Sequence, residues 1–265
     1  MMKQRVITAV VALIIFIPII LLGGYWIDVA AILLAIIGLS EMFIMRKRII
    51  VSPDFIISCL GITTLVLPDG FFSNLPSYLS RFDIFAITVA LLLLVTVTTK
   101  NKTNVDDIGI NTLAMVYIGN GFHSLVAVRG AENGLELLGY ILVVIWATDI
   151  GAYSFGRKIG KHKLWPAISP NKTWEGSIAG TLCALVFAAI YLYFFPVGYN
   201  HKVWMLLATL IFSVCGQLGD LVESAYKRYY GVKDSGKILP GHGGILDRFD
   251  SLLFVLPMLH WFALI

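Results

Sequence analysis

The apolar residues of this chain arrive in runs of about 17 to 25 positions, the length an α-helix needs to cross the hydrocarbon core of a bilayer. Irregular backbone cannot face lipid, because nothing there satisfies its N–H and C=O groups, so each run reads as a helix. Loop punctuation separates nine candidate spans, near residues 6–23, 27–43, 52–67, 83–99, 109–127, 135–156, 175–195, 203–226 and 245–264. The expectation is an all-α, polytopic integral membrane protein. Charge supports it: only 14% of the 265 residues are charged, where a soluble globule carries about 25%.

The net charge of +4 is not read as a nucleic-acid surface, because the lysines and arginines are confined to loops between apolar runs. With the N-terminus in the cytosol, only Arg81, Arg129 and Lys202 of the twenty basic residues fall outside. That bias sets the orientation under the positive-inside rule and places Ile265 outside. The three cysteines, Cys59, Cys183 and Cys215, each sit inside an apolar run without a CxxC pair and read as buried thiols. Lys3 and Arg5 precede a core that resembles a secretory signal, but the core is too long and leads almost directly into another span, so it is kept as the first helix.

The carboxylates divide the chain. Residues 1–130 hold one carboxylate well inside a span, Glu41, and read as a scaffold. Residues 131–265 carry Asp149, Glu175, Asp220, Glu223, Asp247 and Asp250 in or at the ends of spans, all toward the cytosolic face in the orientation above. Ionisable groups at membrane depth are costly and are kept mostly where they work or are paired, so the C-terminal part is expected to be catalytic. Asp220 and Glu223 are three residues apart, as are Asp247 and Asp250, so each pair projects from one helical face. Two antiparallel neighbouring helices would bring both pairs together. Aspartates without a matching cysteine or histidine suit a hard cation such as Mg²⁺, which takes oxygen ligands and shares them with substrate phosphates. If the eighth span ends near Tyr226, Asp220 lies roughly 9 Å below its end. A plainer alternative pairs Glu223 with Lys227 at i+4, and Asp247 with Arg248 or a neighbour, as interfacial salt bridges.

Between those pairs, residues 227–244 hold four cations, Lys227, Arg228, Lys233 and Lys237, with His242 and five glycines. Glycine lets backbone N–H groups approach phosphate closely, and Gly243 and Gly244 stand where the ninth helix would offer its N-terminal amides to an anion. His242 is equally a structural or a catalytic histidine. The other long cytosolic loop, 157–173, runs into Ser169-Pro170-Asn171-Lys172-Thr173-Trp174-Glu175-Gly176. Ser169 and Thr173 are candidate N-caps, Trp174 a candidate interface anchor, and Lys172 is expected beside Glu175.

The run Ser224-Ala225-Tyr226-Lys227-Arg228, Lys233-Asp234-Ser235-Gly236, Leu239-Pro240-Gly241-His242-Gly243-Gly244 and Asp247-Arg248-Phe249-Asp250 resembles the signature of the phosphatidate cytidylyltransferase family over 27 residues. Asp149 with Gly151 to Gly156, and the segment 169–176, resemble family segments as well. The resemblance is firm over residues 140–257. It implies transfer of CMP from CTP to phosphatidate, giving CDP-diacylglycerol and pyrophosphate in phospholipid biosynthesis. It also implies a divalent cation, usually Mg²⁺, with a second cation open, and a homodimer residing as a multi-pass protein in the cytoplasmic (inner) membrane. CTP, phosphatidate and the bilayer are the expected partners, and nucleic acid is not. Asp220 and Asp247 match the metal-holding aspartates, with Glu223 and Asp250 as additional or supporting groups and Lys227 and Arg228 beside the reaction. Lys172, Ser224, Lys233, Asp234, His242, Gly243, Gly244 and Arg248 are the expected substrate-binding residues.

Two rivals share the sequence features. A CTP-dependent lipid kinase would use the same metal and basic loops, releasing CDP in place of pyrophosphate. A cation-coupled transporter would also retain intramembrane carboxylates, but with sites near the midplane and internal repeats.

Overall fold

The computed structural model describes residues 2–73, 75, 76, 79–195, 197, 202–262 and 264, so the expected placement of Ile265 lies outside the described residues. The elements run α1 (Met2–Leu22), α2 (Tyr25–Met45), α3 (Pro53–Val66), α4 (Asp69–Phe72), α5 (Arg81–Thr98), α6 (Val105–Gly130) and α7 (Gly134–Ile159). There follow β1 (Lys163–Trp165), β2 (Ser169–Thr173), α8 (Trp174–Phe194), α9 (Lys202–Tyr229), α10 (Leu246–Val255) and α11 (Met258–Trp261). The chain is mostly helical and forms two compact units, one of residues 1–127 with 234–247, the other of residues 128–233 with 248–265. The glycine-rich segment 234–247 thus belongs with the N-terminal helices.

Among the described residues, five helices are long and apolar enough to cross a membrane: α2, α5, α7, α8 and Val203–Tyr229 of α9. The other expected spans take different forms. Helix α3 has 14 residues, and α6 carries Asp106 and Asp107 in its first turn and Arg129 in its last. The expected span 245–264 divides into α10 and α11 at Leu256-Pro257, where proline supplies no amide for the ladder and its ring clashes with the preceding turn. Segment 163–173, expected as loop, forms an antiparallel hairpin pairing Lys163 with Thr173 and Trp165 with Ser169.

In the first unit, α2 packs on α3 and α3 on α5. Its buried polar centre joins three helices: Arg46 Nη2 donates to Asp107 Oδ1 at 2.7 Å and Nη1 to Asn111, while Asn111 Nδ2 donates to Asp54 Oδ2 at 3.2 Å. Arg48 pairs with the same Asp107. The Arg46 side chain is 6% exposed, so its charge is compensated inside the protein, as burial demands.

The second unit is built on an extensive contact of α7 against α8. Helix α8 buries Gly176, Gly180, Ala184, Ala188 and Leu192, a stripe at every fourth residue. Small residues at that spacing let two backbones approach, which is how helices associate in lipid without a hydrophobic driving force. A Cβ built on Gly180 would stand 2.6 Å from the Thr148 carbonyl oxygen, and one on Gly151 would stand 2.8 Å from Cys183 Cβ. Helix α9 joins the pair through hydroxyls: Tyr140 Oη donates to the Met205 carbonyl at 2.8 Å, and Ser213 Oγ lies 2.8 Å from Thr148 Oγ1 and 3.0 Å from Thr181 Oγ1.

Candidate functional site

The C-terminal ends of α7 and α9 and the start of α8 meet the hairpin around a pocket of about 570 Å³ in the second unit. Its lining mixes the two signs of charge: Asp149 and Asp220, Arg157, Lys163 and Lys172, with Asn171, Ser177 and Gln217 as neutral polar groups. Lys172 Nζ stands 2.5 Å from Asp220 Oδ2 and 3.5 Å from the Gln217 carbonyl oxygen. Asp149 senses both that ammonium and the Asp220 carboxylate. Asp220 Oδ1 accepts from Ser224 Oγ at 3.3 Å, one helical turn on.

The hairpin that brings Lys172 to Asp220 is held at both sides. Glu175, in the first turn of α8, accepts from the amides of Lys161 at 3.1 Å and His162 at 3.2 Å, and its Oε1 lies 2.6 Å from His162 Nδ1. Arg228 Nε, on α9, donates to the Ile168 carbonyl at 3.2 Å, across the turn. Thr173 caps α8, its hydroxyl accepting from Gly176 N at 3.2 Å, whereas Ser169 lies in the strand. Because Lys172 is on a strand and not on the helix of Glu175, the helical neighbour rule does not apply, and it turns to Asp220.

Glu223, Lys227 and Asp250 form a second cluster in the same unit. Lys227 Nζ donates to Glu223 Oε2 at 2.7 Å, the i+4 pair named above as the plainer alternative, and both side chains are nearly sealed, at 12% and 4% exposed. Asp250 hydrogen-bonds Glu223 and senses Asp220 and Lys227. Helix α9 runs three residues beyond the expected end, so Asp220 lies about 13 Å from it at 1.5 Å per residue. The added turn closes in a Schellman motif, with Gly231 at φ 66° and Val232 N donating to the Lys227 carbonyl at 2.9 Å.

The other expected residues lie in the first unit or at its border. Leu239 to His242 form a turn with Pro240 second and Gly241, at φ 78°, third, closed by His242 N donating to the Leu239 carbonyl at 2.8 Å. Asp247 Oδ2 accepts from Ser235 N and Gly244 N at 2.8 Å each and from Ser235 Oγ at 2.9 Å. Gly243 has φ 86°, and a Cβ there would collide with the Asp247 carboxylate, which is a local reason for glycine. The amides of Ile245 and Leu246 donate to Glu41 at 2.7 and 2.9 Å, so carboxylates of the chain itself face the start of α10. Lys233, Asp234 and Arg248 are exposed.

Of the expected site residues, Asp220 and Lys172 line the pocket. Asp149 and Asn171 lie in segments already marked by their resemblance, and Gln217 shares the α9 face of Asp220 at i−3, a legible signal. Arg157 and Lys163 were hidden among the several cations of the 157–173 loop, which nothing local tells apart. The pocket offers oxygen donors of the kind a hard cation takes, and an ammonium already sits against Asp220. Among the described residues, no three His, Cys, Asp or Glu side chains converge as a metal cage.

Fold and pocket together define a helical membrane protein with a charged pocket lined by α7, α8 and α9. The chain belongs to the cytidylyltransferase family, whose model matches residues 3–265. It is 46% identical over 260 residues to the phosphatidate cytidylyltransferase of Staphylococcus haemolyticus (strain JCSC1435), covering 98% of each chain. A protein of the same name from Staphylococcus aureus (strain COL) is equally similar over the same span, and that of Bacillus subtilis (strain 168) is 45% identical over 263 residues, 98% of this chain and 97% of its own.

Proposed function

We propose that this chain is a phosphatidate cytidylyltransferase acting on CTP and phosphatidate at the cytosolic face of the bacterial inner membrane. The observation that carries the reading is the pocket in which Asp149 and Asp220 stand with Arg157, Lys163 and Lys172 at the ends of apolar helices. Both substrates are polyanions, so charge neutralisation and in-line positioning are the main tasks. A non-bridging oxygen of the phosphatidate phosphate attacks the α-phosphorus of CTP, the new P–O bond forms, and the bond to the β-phosphate breaks, releasing pyrophosphate. No side chain is required as a base, since a phosphate monoester is largely ionised near neutral pH. Lys172, Arg157 and Lys163 are placed to bind phosphate oxygens, and Asn171, Ser177 and Gln217 to orient the substrate.

Mg²⁺ is assigned to Asp220 and Asp247, where it would neutralise the triphosphate and make its α-phosphorus more electrophilic. Glu223 and Asp250 support Asp220 through the Lys227 cluster. Ser224, Lys227, Arg228, Lys233, Asp234, His242 and Arg248 are assigned to substrate handling, with Gly243 and Gly244 contributing the loop conformation. A homodimer belongs to the same reading. Purified protein given CTP, phosphatidate and Mg²⁺ is expected to form CDP-diacylglycerol and pyrophosphate in equal amounts. CDP with a phosphorylated lipid would assign the chain to the lipid kinases, and no CTP turnover would remove it from both.

The nine-span topology, with a cytosolic N-terminus, completes the reading and rests on the bias of basic residues. A reporter in the 157–172 segment is expected to be cytosolic and one fused after Ile265 non-cytosolic. Both on the same side would mean an even number of spans between the two positions, in place of the three expected.

A further inference from the structure

Glu41 lies near the C-terminal end of the apolar helix α2, and its burial requires an explanation. A carboxylate 2% exposed is costly unless its oxygens are satisfied, and this one is satisfied entirely from residues about two hundred positions away. Oε1 accepts from Ile245 N at 2.7 Å, and Oε2 accepts from Leu246 N at 2.9 Å and Ser235 Oγ at 3.0 Å. The loop is shaped around it: a Cβ on Gly236 would lie 2.7 Å from Oε1, and one on Gly244 would collide with the same carboxylate. Ser235 Oγ also faces Asp247 Oδ2 at 2.9 Å. Its single proton therefore lies between the two carboxylates, linking Glu41 directly to Asp247.

We propose that Glu41 is a positioning residue for the reaction, holding the 235–246 loop and, through Ser235, fixing the orientation of Asp247. The effect on catalysis rests on the assignment of Asp247 to the cation. Charge-assisted hydrogen bonds are among the stronger single contacts in a protein, and three of them, two from backbone amides and one from a hydroxyl, converge on one carboxylate. Glutamine in its place presents an NH₂ group to one set of these donors, so at least one buried amide or hydroxyl is left opposed by another donor. A positioning residue behind a metal-holding group commonly changes metal affinity by about 10- to 100-fold.

The test uses the full chain in detergent, with Glu41→Gln, Glu41→Asp, Ser235→Ala and Asp247→Asn. In metal-free protein, hydrogen exchange at the amides of Ile245 and Leu246 is expected to quicken about 10-fold or more in Glu41→Gln and to change little in Ser235→Ala. The Mg²⁺ concentration for half-maximal velocity is expected to rise about 10-fold or more in Glu41→Gln, less in Ser235→Ala, with partial recovery in Glu41→Asp and the KM for phosphatidate held within about twofold. Exchange unchanged in Glu41→Gln would overturn the loop-holding role. An Mg²⁺ curve unchanged in Glu41→Gln but shifted in Asp247→Asn would overturn the positioning of Asp247. An unshifted curve in Asp247→Asn would instead remove Asp247 from the cation and, with it, the catalytic half of the proposal. If Glu41→Gln does not fold, Ser235→Ala decides, since a native Mg²⁺ curve in it breaks the link between the two carboxylates.

Discussion

Asp220→Asn is expected to lower the rate of CDP-diacylglycerol formation by about 10³-fold or more while leaving the melting temperature in detergent within a few degrees. The asymmetry follows from the geometry. Asp220 and Lys172 touch at 2.5 Å, but their side chains are 34% and 26% exposed into the pocket. An ion pair open to water contributes only about 0–1 kcal/mol to stability. In catalysis the same carboxylate is assigned two tasks: holding a cation against the triphosphate and setting the position of the Lys172 ammonium. Loss of a single preorganised electrostatic contact costs about 10² to 10³ in turnover, so loss of both tasks at once exceeds that. Lys172→Met is expected to fall nearly as far. The double variant is expected to be little slower than Asp220→Asn alone, because residues that act as a unit are strongly non-additive. Measurement of kcat, KM for CTP and melting temperature for the three variants checks this. Near-native turnover in Asp220→Asn, or a large fall in melting temperature with modest loss of activity, would reduce the pair to a structural salt bridge.

Asp220 was legible because a carboxylate deep in an apolar helix has few reasons to be there, and Lys172 because a cation beside a helix start has a use. Thr173 as the cap of α8 was equally legible, since a hydroxyl three residues before an amide donor is a local pattern. Other features depend on partners distant in sequence. Glu41 was visible as the one carboxylate of the first half well inside an expected span, but its three donors are 194 to 205 residues away, and no local pattern links them. The hairpin 163–173 carries two prolines and no apolar alternation, so nothing in its own residues reads as strand. Glu175 and Arg228 hold it, and neither lies within it. The division of the last apolar run into α10 and α11 was within reach. Pro257 stands in plain view, and hydropathy alone read across it.

The α7 and α8 seam sets the second large expectation, a loss of folded protein in Gly180→Leu. Even the first carbon of a side chain at 180 would stand 2.6 Å from the Thr148 carbonyl oxygen, 3.0 Å from Ala152 N and 3.0 Å from Ala152 Cβ. Backbone atoms cannot rotate out of the way, so the helices must separate. Separation in turn opens the contacts of Gly176 with Ala152 and Gly156, and leaves Ser213 on α9 unable to reach both Thr148 on α7 and Thr181 on α8. Overpacking in a tight core costs about 1–3 kcal/mol for a few added atoms, and this site opposes a whole leucine to a neighbouring backbone, which places it at or beyond the upper end. Activity is expected to fall with folding and not independently of it, because Asp149 follows Thr148 on α7 while Gly176 and Ser177 line the pocket from α8. Leu182→Ala supplies the control: it lies on the same helix, is 57% exposed, and is expected to leave melting behaviour nearly native. Size-exclusion recovery after graded heating in detergent measures both. If Gly180→Leu melts like the native protein, the seam is not what holds α7 to α8, and the pocket would owe its shape to the α9 hydroxyl contacts and the pinned hairpin instead.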